Sequence, residues 1–214
     1  PIKLVEAHKS FKVGPFTLEL VPLAHSIPEA NGLVIETPAA KVFHTGDWKL
    51  DATPVIGNPA SPEQLTAIGD RGIDVLVCDS TNVFNNEASG SEASVRDGLM
   101  ETVQKAKGRV LVTTFASNAA RLATLGAVAK ATGRTLAVTG RSLDRIIRVA
   151  KATGYLKDFP ETMDVDAAVR LPRHKTLIVA TGGQGEPRAA LARIADGSHS
   201  VKLDAGDTVV FSSK

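Results

Sequence analysis

The sequence predicts an α/β protein in two parts, and two observations support that prediction. The first 84 residues contain short apolar runs separated by Gly and Pro turns, which is typical of paired strands. Beyond that point, apolar runs of strand length alternate with helical patterns, as they do when crossover helices join parallel strands. A polar stretch at 85–92 separates the two patterns, so we predict one domain at 1–84 and a second at 85–214.

In the first part, the alternating stretch Phe11–Leu20 contains a Gly-Pro turn and predicts a hairpin. Strands at 33–36 and 41–44 are predicted to pair through the Pro turn between them. Ser61-Pro62-Glu63 places a capping hydroxyl, a Pro and an acid where a helix begins, and we expect this helix to end at 69–72. Val75–Cys78 is apolar throughout, which predicts a strand buried on both faces.

The second part has a regular alternation of elements. Helices are predicted at 92–107, 118–132, 142–153 and 187–195, and strands at 109–114, 135–139, 176–180 and 208–211. This order predicts an open, mostly parallel sheet, in which ligands bind beyond the carboxyl ends of the strands.

Three loops at predicted strand ends contain small, hydroxyl and amide side chains: 114–118, 140–142 and 182–186. Each leads to a predicted helix N-terminus, where backbone N–H groups and the helix dipole favour an anion. Helix capping and tight turns explain any one loop more simply, but three at one edge favour a surface that faces phosphate. Neither dinucleotide nor P-loop glycine motifs are present. The candidate contacts are Ser117, Asn118, Arg141, Ser142 and Gln184.

Two polar residues at the ends of apolar runs are candidate metal ligands, namely His25 and Asp47. A catalytic zinc needs three protein ligands and an open position, and the five histidines of this chain are scattered. On spacing alone, hydrogen-bonded structural roles for His25 and Asp47 are the first interpretation, and metal binding is the second.

The composition limits the function only loosely. The 25 Lys and Arg exceed the 23 Asp and Glu by 2, which does not by itself indicate nucleic-acid binding. Aromatic residues make up 4%, so broad base-stacking platforms are not evident. Cys78 is the single cysteine; it excludes an internal disulfide, and its place after an apolar run predicts a buried, inert thiol. No apolar run approaches a membrane span and no signal-peptide pattern is found, so we expect a cytoplasmic protein.

Seven sequence blocks closely resemble the ribonuclease J family, in the order in which the family has them. They are HSIPEANG at 25–32, HTGDWKLD at 44–51, CDSTN at 78–82, TTFASN at 113–118, GRSL at 140–143, TGGQGEP at 181–187 and GDTVVFSS at 206–213. The resemblance implies part of a metallo-β-lactamase αββα sandwich, followed by an inserted β-CASP domain with an open α/β sheet. With it, metal binding becomes the favoured interpretation of His25 and Asp47.

The resemblance also implies roles for individual residues. The histidine at the position of His25 binds one metal in this family, and the aspartate at Asp47 bridges two, usually zinc, with manganese or magnesium in their place in some cases. Asp79 matches an acidic motif thought to orient a later histidine that assists the leaving group. The loops of the β-CASP domain hold the backbone of single-stranded RNA, which the family cuts both internally and from a 5′-monophosphate end.

The sequence departs from the family pattern in three respects. The His-x-His-x-Asp-His motif is expected before residue 1 and the β-CASP histidine motifs after residue 214, and Gly183 stands where the family usually has Ser. We therefore expect an internal piece of a longer protein that is catalytically inactive by itself. The full-length protein is expected to be a homo-oligomer, a dimer or a tetramer.

Two alternatives stay open at this point. The first is a non-catalytic RNA-binding or scaffolding module of an RNA-degradation assembly, for which weak, salt-dependent RNA binding without cleavage would speak. The second is a small-molecule metallo-hydrolase of the same fold, such as a thioesterase or lactonase. The long α/β insertion after Asn82 argues against the second, since a small substrate does not need a clamp.

Overall fold

The computed structural model describes residues 2–6, 9–57, 61–86 and 90–212. The chain divides into two compact units, residues 1–91 and residues 92–214, each with its own sheet. The boundary was predicted after residue 84, where the polar stretch 85–92 begins, and the observed division follows residue 91, near its end.

The first unit contains a five-stranded sheet and one helix. The elements are β1 (Phe11–Val13), β2 (Phe16–Pro22), β3 (Asn31–Glu36), β4 (Lys41–His44), α1 (Pro62–Asp70) and β5 (Val75–Val77). The strand order is β1-β2-β3-β4-β5; β1 to β4 pair antiparallel, and β5 pairs parallel with β4. Both predicted hairpin pairings are present. The core packs Val21, Val34 and Phe43 against Ile68 of α1.

Helix α1 begins where its sequence predicts. The Ser61 hydroxyl accepts a hydrogen bond from the backbone N–H of Gln64 at 3.3 Å, and Pro62 occupies the first helical position, where its missing N–H costs nothing. After the helix, Arg71 donates to Glu19 of β2 at 2.7 Å and to Glu36 of β3 at 3.0 Å. These two half-exposed ion pairs fix the end of α1 against the sheet.

Strand β5 differs from its prediction. Val75, Leu76 and Val77 are 48%, 60% and 43% exposed, although burial on both faces was expected. Within the described residues β5 is an edge strand, hydrogen-bonded only to β4. Cys78 is likewise exposed rather than buried, so the prediction of a buried thiol was wrong. An apolar run indicates that a strand is suited to burial, but it does not specify which element covers it.

The second unit alternates helices and strands as predicted. Its elements are α2 (Glu92–Lys105), β6 (Val110–Thr113), α3 (Ala119–Thr132), β7 (Thr135–Thr139), α4 (Arg141–Ala152), α5 (Val165–Ala168), a 3-10 turn (Arg173–Lys175), β8 (Thr176–Ala180), α6 (Ala190–Ala195) and β9 (Thr208–Phe211). The strand order is β7-β8-β6-β9, and every pair is parallel. The prediction of an open parallel α/β sheet is confirmed, and only the short α5 and the 3-10 turn were missed.

The centre of this sheet is fully buried, as two-sided helix packing requires. Leu111 of β6 and Ile178 of β8 have no exposed surface and contact a cluster that includes Ala168, Ile194 and Val201. Helix α3 buries most of its length, and its Gly126 lets Phe159 and Pro160 approach closely.

Gly126→Ala should therefore destabilise the fold, although alanine is the better helix former. An added Cβ would lie 2.8 Å from both Phe159 Cδ2 and Pro160 Cδ, and relieving such overpacking costs roughly 1–3 kcal/mol. Gly98→Ala is the matched control, since a Cβ there on α2 meets nothing within 4 Å. It should raise the free energy of unfolding by roughly 0.5–1 kcal/mol. Urea titrations measure both changes, and a stabilising Gly126→Ala would contradict this packing.

Candidate functional site

The carboxyl edge of the parallel sheet places three loops next to one another. Strand β8 lies between β7 and β6, so the loops that follow these strands are adjacent. The backbone N–H of Thr114 donates to the carbonyl of Ala180 at 3.2 Å. On the other side, a Cβ at Gly140 would lie only 2.9 Å from Thr181 Cγ2. The glycine, with its positive φ of 129°, is thus what permits the loops after β7 and β8 to pack closely.

A cavity of about 390 Å³ opens between these loops and the first turns of α4. Its size is within the range of small-molecule and cofactor pockets. It is lined by Thr114, Phe115, Ala116, Ser117, Ser142, Ile146, Thr181 and Glu186. Four of these residues bear hydroxyl groups, three are apolar and one is a carboxylate. We call this cavity the strand-end pocket.

Four of the five residues predicted to contact RNA lie at or beside this edge. Ser117 and Ser142 line the strand-end pocket. Arg141 is exposed in the first turn of α4, and the described part of the chain offers its guanidinium no hydrogen bond or ion pair. Gln184 is exposed on the third loop, where its backbone N–H donates to Glu186 Oε2 at 2.9 Å. Their contact with RNA stays a prediction.

Asn118 occupies a different environment from the other four. It is buried, and its side-chain oxygen accepts from the backbone N–H of Arg121 at 2.9 Å, which caps α3. Its amide nitrogen donates to Glu92 Oε1 at 3.4 Å. Asn118 is therefore placed to hold the loop that carries Ser117, and an RNA contact of its own also stays a prediction.

Helix α4 retains an open N-terminus. Gly140 precedes it without a side-chain cap, in contrast to the Asn118 cap on α3. Positive partial charge therefore remains at this end of a 12-residue helix. Arg141 is the basic residue of this turn and Asp144 the acidic one, so the two side chains offset each other and the uncapped backbone N–H groups supply the attraction for an anion.

A buried ion pair, which the sequence analysis missed, supports the first loop. Arg121 donates from Nε and Nη2 to the two carboxylate oxygens of Glu92 at 3.0 and 2.9 Å, a bidentate arrangement. Its Nη1 donates to the carbonyl of Ser212 at 2.8 Å and also to the Ser212 hydroxyl. The sequence did indicate a special role for Arg121. It is the one charged residue in the first ten positions of a helix whose other residues there are small or apolar.

His199 supports the end of β7. Its Nδ1 accepts from the backbone N–H of Val201 at 3.0 Å, so the ring proton lies on Nε2, which is 3.0 Å from the Thr139 hydroxyl. Burial lowers the pKa of His199 below its ordinary value, and nearby Arg193 lowers it further. The neutral ring is therefore favoured, which preserves both contacts directly before Gly140.

His25 and Asp47, the predicted metal ligands, and Asp79, predicted to act in catalysis, follow strands that end at one end of the first unit's sheet. The backbone N–H of Lys49 donates to the carbonyl of Ala24 at 2.8 Å, which holds the segments of His25 and Asp47 side by side. The N–H of Asp79 donates to Thr45 Oγ1 at 3.3 Å, in the turn before Asp47.

Asp79 itself is ordered by local contacts. The side-chain hydroxyl of Thr81 and its backbone N–H donate to Asp79 Oδ1 at 2.6 and 2.9 Å and lower the pKa of that carboxyl. The charge of His25 lowers the pKa of Asp79 a little further.

These residues do not make up a metal centre by themselves. Within the described residues, no group of three or more His, Cys, Asp or Glu side chains is arranged to hold a metal ion. Zinc in proteins takes at least three such ligands. His25 and Asp47 have the right donor chemistry, but their number does not fit a complete site, so we derive no catalytic step through a metal in this chain.

The parallel sheet with crossover helices defines the second unit as an open α/β domain, and a family model places it in the β-CASP class. Residues 107–214 match the family model described as "Ribonuclease J, beta-CASP domain". The chain belongs to the ribonuclease J family.

Relatives named "Ribonuclease J" align along nearly the whole chain. The protein from Sinorhizobium meliloti is 41% identical over 100% of this chain and 38% of its own length. The one from Corynebacterium glutamicum is 42% identical over 99% of this chain and 30% of its own length. The one from Thermus thermophilus is 39% identical over 92% of this chain and 35% of its own length. The chain thus spans about a third of the length of these relatives.

A solved structure has the same fold. It is described as a protein of unknown function from Enterococcus faecalis, with a TM-score of 0.61 and 14% identity, and it covers 100% of this chain and 56% of its own. At that identity the likeness concerns the fold alone. No helix in the described part of this chain is both long and apolar enough to cross a membrane.

Arg121→Met should unfold the second unit more easily, because the Glu92 carboxylate would lose its cation at a site where its side chain is only 13% exposed. Breaking such a pair costs roughly 3–5 kcal/mol. Arg145→Met on the exposed face of α4 is the control and should change stability by less than about 0.5 kcal/mol. Chemical unfolding followed by circular dichroism measures both variants. Equal, small effects would mean that the ion pair does not hold the loop.

Proposed function

We propose that the longer protein to which this chain corresponds is a ribonuclease that hydrolyses phosphodiester bonds of single-stranded RNA. It acts as a 5′-3′ exonuclease and as an endonuclease. The proposal rests on one observation above all, namely three polar loops brought to one sheet edge in a member of the ribonuclease J family. We assign the first unit to part of the metallo-β-lactamase domain and the second to the β-CASP domain.

The second unit binds the RNA backbone in this proposal. Arg141 and the open N-terminus of α4 attract phosphate groups. Ser117 and Ser142 donate hydrogen bonds to phosphate or sugar oxygens from the pocket wall, and Gln184 adds an exposed amide on the third loop. Such contacts are independent of base sequence, so binding is weak and strongly dependent on salt.

We propose zinc as the metal, with two ions in the full-length protein and manganese or magnesium as substitutes. His25 binds one ion, Asp47 bridges both, and the remaining ligands come from outside this chain. Asp79 acts in catalysis by orienting a histidine that is also outside it. This chain alone therefore binds RNA without cleaving it. The full-length protein is a cytoplasmic homo-oligomer. The one cysteine of the 214-residue chain is free, which suits a reducing compartment.

A second candidate function is a non-catalytic RNA-binding or scaffolding module of an RNA-degradation assembly. One observation favours it: the strand-end pocket is formed within one unit, so binding at this pocket does not require residues of the metal site. Cleavage of a 5′-monophosphorylated single-stranded RNA by the full-length protein decides in favour of the ribonuclease, and binding without cleavage decides for the module.

Arg141→Gln should weaken the binding of single-stranded RNA by the 214-residue chain and reduce its salt dependence. Loss of one phosphate contact lowers the slope of log K against log salt by about 0.7. Arg148→Gln, two turns further along α4 and also exposed, should leave the slope unchanged. Fluorescence anisotropy with a labelled oligonucleotide at several salt concentrations measures this. Equal slopes for the two variants would remove Arg141 from the interface.

Metal analysis tests the ligand assignment without an activity assay. The full-length protein should hold two zinc ions after gel filtration, and Asp47→Ala should release most of them, because a bridging carboxylate contacts both. The 214-residue chain should retain little zinc. Two tightly held ions in this chain, lost on Asp47→Ala, would show that its own residues complete the site.

A further inference from the structure

A histidine holds the segment between α6 and β9 against the sheet. Val201 has no exposed surface and belongs to the core cluster that contains Leu111. Its backbone N–H donates to Nδ1 of His199 at 3.0 Å, and Nε2 of the same ring lies 3.0 Å from the Thr139 hydroxyl at the end of β7. The ring therefore connects residues 197–201, which we call the strap, to the sheet.

This connection requires a neutral ring. A backbone N–H can only donate, so Nδ1 must present its lone pair to Val201, and the ring proton is on Nε2. Protonation places a hydrogen on Nδ1 as well, and two donors then face each other across 3.0 Å. The N–H of a buried residue loses its acceptor, which is costly. Because the imidazolium can still donate from Nε2 to Thr139, the conflict falls on the contact with Val201.

The charges around the ring oppose its protonation. Burial of the ring lowers the pKa of His199, and Arg193 of α6 and Lys202 after the strap lower it further. Asp166 of α5 acts in the opposite direction and raises the pKa. The neutral ring is therefore the form that the docked strap favours, in agreement with the hydrogen bonds.

The two ends of the strap are held by contacts that do not depend on the histidine. The backbone N–H of Gly197 donates to the carbonyl of Ile194 at 3.3 Å. The carbonyl of Lys202 accepts from Arg109 Nη1 at 3.3 Å and from Arg173 Nη2 at 3.2 Å. Arginine keeps its charge at every pH at which a histidine titrates. Loss of the histidine contact therefore frees the strap between two fixed ends.

We infer that His199 is a pH-sensitive latch that docks the strap on the sheet when the ring is neutral and releases Val201 when the ring is protonated. The latch does not depend on RNA binding, although Thr139 directly precedes Gly140 and so links the ring to the loop after β7. The released strap binds a proton more readily than the docked strap. Docking is therefore at full strength above the ordinary histidine pKa of about 6.5 and weakens as the pH falls below it.

Hydrogen exchange of the backbone amides of the 214-residue chain, followed by NMR, tests the latch. Protection of the Val201 amide, corrected for the intrinsic pH dependence of exchange, should fall by up to about tenfold between about pH 7.5 and about pH 5.5, one unit below the ordinary pKa. Val201 should also be less protected than Val179 of the central strand β8, since the strap opens without the sheet. Imidazole ¹⁵N shifts at neutral pH should place the ring proton of His199 on Nε2.

His199→Asn removes the titration and keeps an acceptor. The side-chain carbonyl of Asn accepts from the backbone N–H two residues further on, as Nδ1 of His199 does for Val201. Protection of the Val201 amide in this variant should be the same at both pH values. His174→Gln is the matched control, because His174 is exposed in the 3-10 turn, and it should leave the pH dependence at Val201 intact.

The outcomes decide for or against the latch. Loss of Val201 protection in acid that His199→Asn abolishes and His174→Gln keeps supports it. Protection that does not depend on pH, equal protection at Val201 and Val179, or a ring proton on Nδ1 at neutral pH overturns it, and so does an unchanged pH dependence in His199→Asn. The first three of these contrary results come from the unaltered chain, so the test stands even where a variant fails to fold.

Discussion

The parallel pairing of β8 with both β6 and β7 is the constraint on which the candidate site depends. Thr113 of β6 and Thr139 of β7 are both in register with Ala180 of β8. The three strands therefore end at the same level, and the chain must leave the sheet there three times on one edge. Apolar residues fill the strands and polar residues follow them, so the same register that buries the core exposes the hydroxyls and amides of the loops.

The loops at this edge are supported by side chains that bind other parts of the protein. The bidentate pair of Arg121 with Glu92 joins α3 to α2 and reaches Ser212 beyond β9. Neutral His199 contacts Thr139 at the end of β7. Buried charges of this kind contribute less to net stability than apolar packing of equal volume, but they fix the position of the backbone. A binding edge needs that precision more than it needs additional stability.

The sequence predicted those features whose cause is local. The bounds of β7 and β8 follow from short apolar runs with turn residues on both sides, and the start of α1 follows from the capping chemistry of Ser61. Features that depend on distant partners were missed or wrong. β5 and Cys78 were predicted to be buried but are exposed. An apolar run does not specify whether another element covers it.

The parts of the site that the sequence did not reveal also depend on residues that are far apart in the chain. Arg121 finds its partner 29 residues away. The TTFASN block directed attention to Ser117 and Asn118, whereas the fold separates them, with Ser117 on the pocket wall and Asn118 capping α3 beneath it.

The central claim is that RNA binds at the carboxyl edge of the parallel sheet. Backbone amide chemical shifts of the 214-residue chain, followed during titration with oligouridylate, test it most directly. We predict that the largest chemical-shift changes occur at residues 114–118, 140–142 and 181–186. Changes concentrated instead at the opposite edge, around Gly108, Arg134 and Arg173–Lys175, would contradict it and move the interface to the amino ends of the strands.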